Sequence, residues 1–168
     1  DLGSGLATLA ANPALDKLTD EQLKARFYNK LAIDEGDLYI DKIGDPMTVG
    51  DALFTSGSGH SKLKKRDRHL YLDELANTIA DPDEIYLEAE ELRTGKTRIV
   101  KKMMRYFVDE KGNKKAIQAI FEYSKDKTQG VSLHVIDKEK AVELRRKDRI
   151  DNLTPRPLSL TSLFVKGS

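Results

Sequence analysis

Leu75-Ala76-Asn77-Thr78-Ile79-Ala80-Asp81-Pro82-Asp83-Glu84-Ile85-Tyr86-Leu87-Glu88-Ala89-Glu90 holds the point where the chain changes its geometry. Ahead of Pro82, the apolar residues Leu72, Leu75, Ala76 and Ile79 fall at i, i+3, i+4 and i+7, the spacing of one helix face. The spacing predicts a helix over 67–80. Pro82 stops it, because the residue before a proline is pushed out of the α region. Beyond Pro82 the period drops from about 3.6 to about 2. Ile85, Leu87 and Ala89 alternate with Glu84, Tyr86, Glu88 and Glu90, the pattern of a strand.

Working outward, glycine-bearing turns at Thr94-Gly95-Lys96 and Lys111-Gly112-Asn113, and a third turn ending at Gly130, separate runs over 98–108, 115–123 and 131–136. Four strands joined by short loops predict an antiparallel meander. A last helix fits 138–147, with Asp137 as its N-cap. Upstream, Thr19 and Gln22 have capping-box spacing, and Leu23, Phe27 and Leu31 share one helix face up to Gly36. The expected fold class is α+β, with N-terminal helices packed on one face of a four-stranded antiparallel sheet and a C-terminal helix. Residues 1–45 read as an N-terminal arm or linker with one helix, 46–150 as the main domain, and 151–168 as a tail that forms an edge strand or docks. The stretch 34–46, with Gly36, Gly44 and Pro46, reads as irregular.

A length of 168 residues suits one domain. Hydrophobic residues at 39% and charged residues at 34% supply one core and a solvated surface, which excludes a disordered chain. No apolar run approaches the roughly 20 residues of a membrane span, so no stable membrane insertion is expected. The start, from Asp1, lacks a basic stretch followed by an apolar one, so no signal peptide is read. Starting without Met, the chain reads as a piece of a longer polypeptide. With no cysteine, disulfides, thiolate nucleophiles and cysteine metal sites are excluded. Residues 1–50 carry five basic and nine acidic side chains, and 51–168 carry 24 and 19. The basic surplus is local and centres on His60-Ser-Lys-Leu-Lys-Lys-Arg-Asp-Arg-His69.

Alternation sorts each strand into two faces. Val100, Met104, Tyr106 and Val108 read as a buried set, as do Ile117, Ala119, Phe121 and Tyr123, and Val131, Leu133 and Val135. The opposite face then collects Lys101, Arg105, Gln118, Glu122, Ser132 and His134. That inventory suits RNA cleavage without a metal. A base takes the 2′-hydroxyl proton, an acid serves the leaving oxygen, and cations hold the charged phosphorus. His134 and His60 are the candidate proton-transfer groups, Arg105 the clamp, and Ser132 a donor to a phosphate oxygen. Lys62, Lys64, Lys65 and Arg68, with Arg66 and Lys101, are candidate phosphate grips. The same inventory also describes an ordinary solvated sheet face, on which an Arg105–Glu122 pair contributes little. No metal-ligand motif, P-loop or GxGxxG is present, so no metal or cofactor is expected.

The strings Pro46-Met-Thr-Val-Gly50-Asp-Ala-Leu-Phe54, Lys64-Lys-Arg-Asp-Arg-His-Leu-Tyr-Leu72 and Leu75 to Tyr86 resemble the phage barnase–EndoU–colicin–RelE-like nuclease family. The resemblance spans about residues 46–148 and extends to Arg105-Tyr106, Ser132 and Leu144-Arg145. Tyr86 stands where the family has Trp, and Asp67 stands where the family has Gly. The resemblance implies a toxin-type, metal-independent endoribonuclease acting on tRNA or other cellular RNA and leaving 2′,3′-cyclic phosphate ends. It also implies a cognate immunity protein as partner, and an effector delivered to a target-cell cytoplasm or borne by a phage. The alternative is a non-catalytic nucleic-acid-binding module of a phage or secreted effector. An ADP-ribosyltransferase ranks below both, for want of that fold's strand motifs.

Overall fold

The computed structural model describes residues 6–123, 128–137, 139–140 and 151–153. Helix α1 (Asp20–Lys30) begins with the capping box that Thr19 and Gln22 predict. The Gln22 amide donates to Thr19 Oγ1 at 3.2 Å, and the Thr19 amide donates to Gln22 Oε1 at 2.9 Å. Helix α2 (Leu72–Ala80) buries Leu72, Leu75, Ala76 and Ile79 and ends just ahead of Pro82. Its start differs from the expected one at 67. Residues Lys65–Tyr71 form a tighter 3₁₀ segment, kinked at Arg66 and Asp67, which sit in the left-handed region at φ 54° and 57°. L-residues pay steric energy for that conformation, and it interrupts a right-handed helix.

The strands are β1 (Ala7–Leu9), β2 (Leu38–Ile40), β3 (Pro46–Thr48), β4 (Glu84–Glu91), β5 (Thr97–Asp109), β6 (Lys114–Tyr123), β7 (Thr128–Asp137) and β8 (Asp151–Asn152). They form one mixed sheet in the order β2-β3-β7-β6-β5-β4-β8, with β1 parallel to β5 past the end of β4. This overturns the expected four-stranded antiparallel sheet with N-terminal helices packed upon it. The antiparallel run β4–β7 is only the middle of the sheet. β3 joins β7 in parallel at Thr48–Gln129, and β8 caps the far edge on Tyr86 and Leu87. α2 lies on β5 and β6, and α1 packs on α2. The added strands are two or three residues long, too short to display a period. Pro46 is tolerated because it opens its strand. The expected C-terminal helix lies outside the described residues, apart from Glu139 and Lys140, which are helical.

One core unites the layers. Leu9, Leu15, Leu23 and Phe27 from the first 30 residues meet Met47, Leu53, Leu75, Met103, Phe107, Phe121 and Leu133 in a single cluster. The side chains of 7–31, read as an arm with one helix, therefore fill the same interior as the central strands. Among the described residues no helix is long and apolar enough to cross a membrane.

The face assignment of β5 is reversed. Met103 and Phe107 point into the core, and Lys101 and Arg105 share that phase. Lys101 is fully buried there, donating to the Asp41 carboxylate and, at 3.0 Å, to Asp45. Asp41 in turn accepts the backbone amides of Ile43 (3.1 Å) and Asp45 (2.8 Å). The ammonium thus anchors the 41–45 turn, which links β2 to β3, onto the middle of the sheet. Arg105 escapes the core by reaching the rim, where it donates to Asp81 Oδ2 at 3.0 Å and to the Asp81 carbonyl.

Replacing Lys101 with Met leaves a buried carboxylate without its counter-ion. Urea unfolding of Lys101→Met should show a loss of about 3–5 kcal/mol. A loss below about 1 kcal/mol would show that the turn amides alone hold Asp41.

Candidate active site

Strand register, not loop geometry, assembles the polar cluster on the second face of the sheet. Gln118 of β6 stands directly opposite His134 of β7, and Ile120 stands opposite Ser132. The register shifts between Ile120 and Phe121, which pair with Ser132 and Gly130, so Val131 is an extra, bulged residue. A bulge of one residue re-phases everything beyond it. It turns Ser132 and His134 onto the face that carries Gln118. Gly130 is required beside it, because a Cβ there would sit 2.9 Å from Leu53 Cγ.

On β5 the residues of this face are Val100, Lys102, Met104 and Tyr106, with Lys102 opposite Ile120 and Met104 opposite Gln118. The face is not solvated: Tyr86, Glu88, Val100, Lys102, Met104 and Gln118 are all buried. Lys102 pairs with Glu88 at 2.7 Å. The hydroxyls of Tyr86 and Tyr106 both donate to Glu84.

The basic segment docks along the outer edge of β7. β3 covers that edge only at Gln129. Beyond it, Lys62 Nζ donates to the Val131 carbonyl (3.1 Å) and the Ala52 carbonyl (3.1 Å), and Arg68 Nη1 donates to the Leu133 carbonyl (2.8 Å). The left-handed pair Arg66-Asp67 is what turns the chain so that Arg68 faces the strand. Burial, reinforced by Arg68 and Lys65, holds the Lys62 ammonium below its usual range. Burial likewise lowers Arg68.

His134 feels this field. Its Nδ1 lies 3.1 Å from Ser132 Oγ. Burial first, then repulsion from Arg68, Lys102, Arg66 and Lys140, pushes the imidazole down to about 4. At neutral pH it is therefore an uncharged ring among cations, a proton acceptor rather than a donor. An anion bound among those cations would remove the repulsion, so anion binding and proton uptake by His134 reinforce each other.

The other sequence candidates lie apart from this cluster. His60 is exposed, with hydrogen bonds to Ser58 and Ser56 in its own loop. Lys64 reaches the Asp16 carbonyl at 3.4 Å, and Lys65 is exposed with its carbonyl accepting from Arg68. Lys101 and Arg105 are on the opposite face, committed to Asp41, Asp45 and Asp81. His69 is buried against Asp16 at 2.8 Å. Lys102 joins the site unforeseen, because a strand buried on both faces has no polar set to mark which way it points. Among the described residues no group of three or more His, Asp or Glu side chains is placed to hold a metal ion.

Residues 24–150 match a family model described as phage-Barnase-EndoU-ColicinE5/D-RelE like nuclease2. That range contains every residue of the cluster around His134. No curated protein and no solved structure matches the chain.

Two outcomes follow from the geometry. Asp67→Gly removes the Cβ from a left-handed residue and should raise stability by about 1 kcal/mol, read as a shift of the urea midpoint at unchanged slope. His134 has a native pKa of about 4 against its ordinary 6.5. The unfolded chain therefore takes up a proton that the native state refuses. The His134 contribution to stability should fall as pH drops from about 6.5 to about 4, with a slope approaching roughly 1.4 kcal/mol per pH unit inside that window, before the paired aspartates Asp51, Asp73 and Asp81 add their own loss in stronger acid. In His134→Gln the slope between about pH 6.5 and about pH 5 should vanish, and its persistence there would place its origin elsewhere.

Proposed function

The chain belongs to the phage-Barnase–EndoU–ColicinE5/D–RelE-like nuclease family, and we propose that it is a metal-independent endoribonuclease with His134 as its general base. Membership supports a nuclease. The choice of RNA and of transesterification is supported by one observation: a half-buried imidazole, 3.1 Å from Ser132 Oγ, lies in the positive field of the basic segment that Arg68 lays along β7 and is held uncharged at neutral pH.

In this reading the RNA phosphodiester sits among the cations of that segment, and His134 takes the proton from the ribose 2′-hydroxyl. The 2′-oxygen attacks phosphorus, the bond to the 5′-oxygen breaks, and that oxygen takes up a proton as it leaves. The products are a 2′,3′-cyclic phosphate and a 5′-hydroxyl. The cations compensate the charge that builds on the phosphoryl oxygens. With Nδ1–H donating to Ser132 Oγ, the ring is held in place and Nε2 is left to the substrate. Arg105 stays in its ion pair with Asp81 and Lys102 in its pair with Glu88, and the site's phosphate-facing cations come from the segment along β7. tRNA as substrate, a cognate immunity protein, and delivery into a target-cell cytoplasm or carriage by a phage complete the proposal on the strength of the family resemblance.

Total cellular RNA incubated with the protein in EDTA should yield discrete fragments with 2′,3′-cyclic phosphate ends. His134→Ala should lower the rate by about 10²–10⁴-fold. RNA bound in a salt-dependent manner but left intact would favour the nucleic-acid-binding module instead. On the acid side, kcat/KM should hold down toward the His134 value of about 4. A limb at the ordinary histidine value would assign the base elsewhere.

A further inference from the structure

Gln118 is buried in the middle strand of the polar face, and among the described residues its side-chain Nε2 has no hydrogen-bond partner. Its flanks explain why. Met104 stands opposite on β5, and Ala116 and Ile120, its neighbours on the same face of β6, are apolar. On the remaining side stands His134, whose Nδ1 is already engaged by Ser132. A buried amide left without an acceptor costs free energy that a methionine or leucine of similar size would not. Such a group calls for a reason in function. Its position supplies one, because directly opposed residues on neighbouring strands stand roughly 5 Å apart at Cβ.

We infer that the Gln118 amide is a catalytic donor, reserved for a non-bridging oxygen of the RNA phosphate whose 2′-hydroxyl is deprotonated by His134. The inference rests on the ribonuclease reading above and extends it to a residue outside the cationic rim. Arg68 and Arg66 attract any phosphate. A fixed amide in the sheet, next to the base, adds direction: one donor aimed at one oxygen, in a buried setting where no water competes. The donor is preorganised because β6 is paired on both sides, and it stands beside half-buried His134. The arrangement trades stability for chemistry, as buried groups at active sites do.

The test compares wild type, Gln118→Met and His134→Ala on an oligoribonucleotide cleaved by the wild type. Gln118→Met should keep or raise the melting temperature, lower kcat by about 10²-fold, and leave KM within a few-fold. A single phosphorothioate at the scissile linkage gives a sharper readout. Wild type should slow on one diastereomer, and Gln118→Met should treat both alike. Wild-type kcat in Gln118→Met, or a parallel fall of melting temperature and kcat, would overturn the inference. An inactive His134→Ala beside a fully active Gln118→Met would sink this donor alone, whereas an active His134→Ala would sink the ribonuclease site itself. If Gln118→Met does not fold, the wild-type protein still decides. On adding the uncleavable 2′-deoxy analogue of the oligonucleotide, the side-chain amide resonances of Gln118 should shift and exchange more slowly with water. Unmoved resonances at saturation would overturn the assignment.

Discussion

Strand β5 is buried on both faces and carries two lysines side by side, so each ammonium must find a carboxylate on its own side of the sheet. Lys101 takes Asp41 and Asp45 on the core side, and Lys102 takes Glu88 on the other. An unpaired charge at either position would cost several kcal/mol. The rest of the architecture answers to this constraint. The β2–β3 connection is drawn onto the sheet because it holds the acids that Lys101 needs. β4 runs beside β5 with its acidic residues at 84, 88 and 90 on the face of Lys102. The acidic surplus of the N-terminal third thus has an internal use as well as a solvating one.

The site grows from the far side of that same sheet. β6 and β7 set Gln118 against His134, the bulge at Val131 fixes their common face, and the basic segment lays its cations along the strand edge. Three different devices meet there: a register, an extra residue and a kinked turn. The field they create keeps an imidazole uncharged at neutral pH. A histidine in that state is of little use as a static counter-ion, but it is suited to accept a proton when an anion arrives.

Much of this order was legible in the residues. The Thr19 capping box, the stop at Pro82 and the phases of β6 and β7 are local signals, and local geometry obeys them. The family resemblance was carried by strings of the same kind. What escaped was set by distant partners. Val100, Lys102, Met104, Tyr106 and Val108 form a more apolar series than Lys101, Met103, Arg105 and Phe107, yet the second series has the core-facing phase. Lys101 is neutralised by residues some 60 positions earlier in the chain, which no periodicity reports. Arg105 was placed beside Ser132 by that error of phase, whereas Ser132 and His134 were grouped correctly on one face. The short strands β1, β2, β3 and β8 left no period to read, and the left-handed Arg66-Asp67 pair hid inside a run that looked helical. Asp67 is instructive here, since a glycine at that position would adopt the turn without strain.

Along β7, the carbonyls of Val131 and Leu133 face outward where, among the described residues, no strand pairs with them. Bare edges of this kind template the addition of a second chain, and proteins commonly blunt them with lysine or a covering loop. Here Lys62 and Arg68 occupy those acceptors directly. The cations of the basic segment therefore also seal the sheet against its own copies. A substitution at Lys62 or Arg68 would reopen a stretch of strand edge, and solubility would suffer.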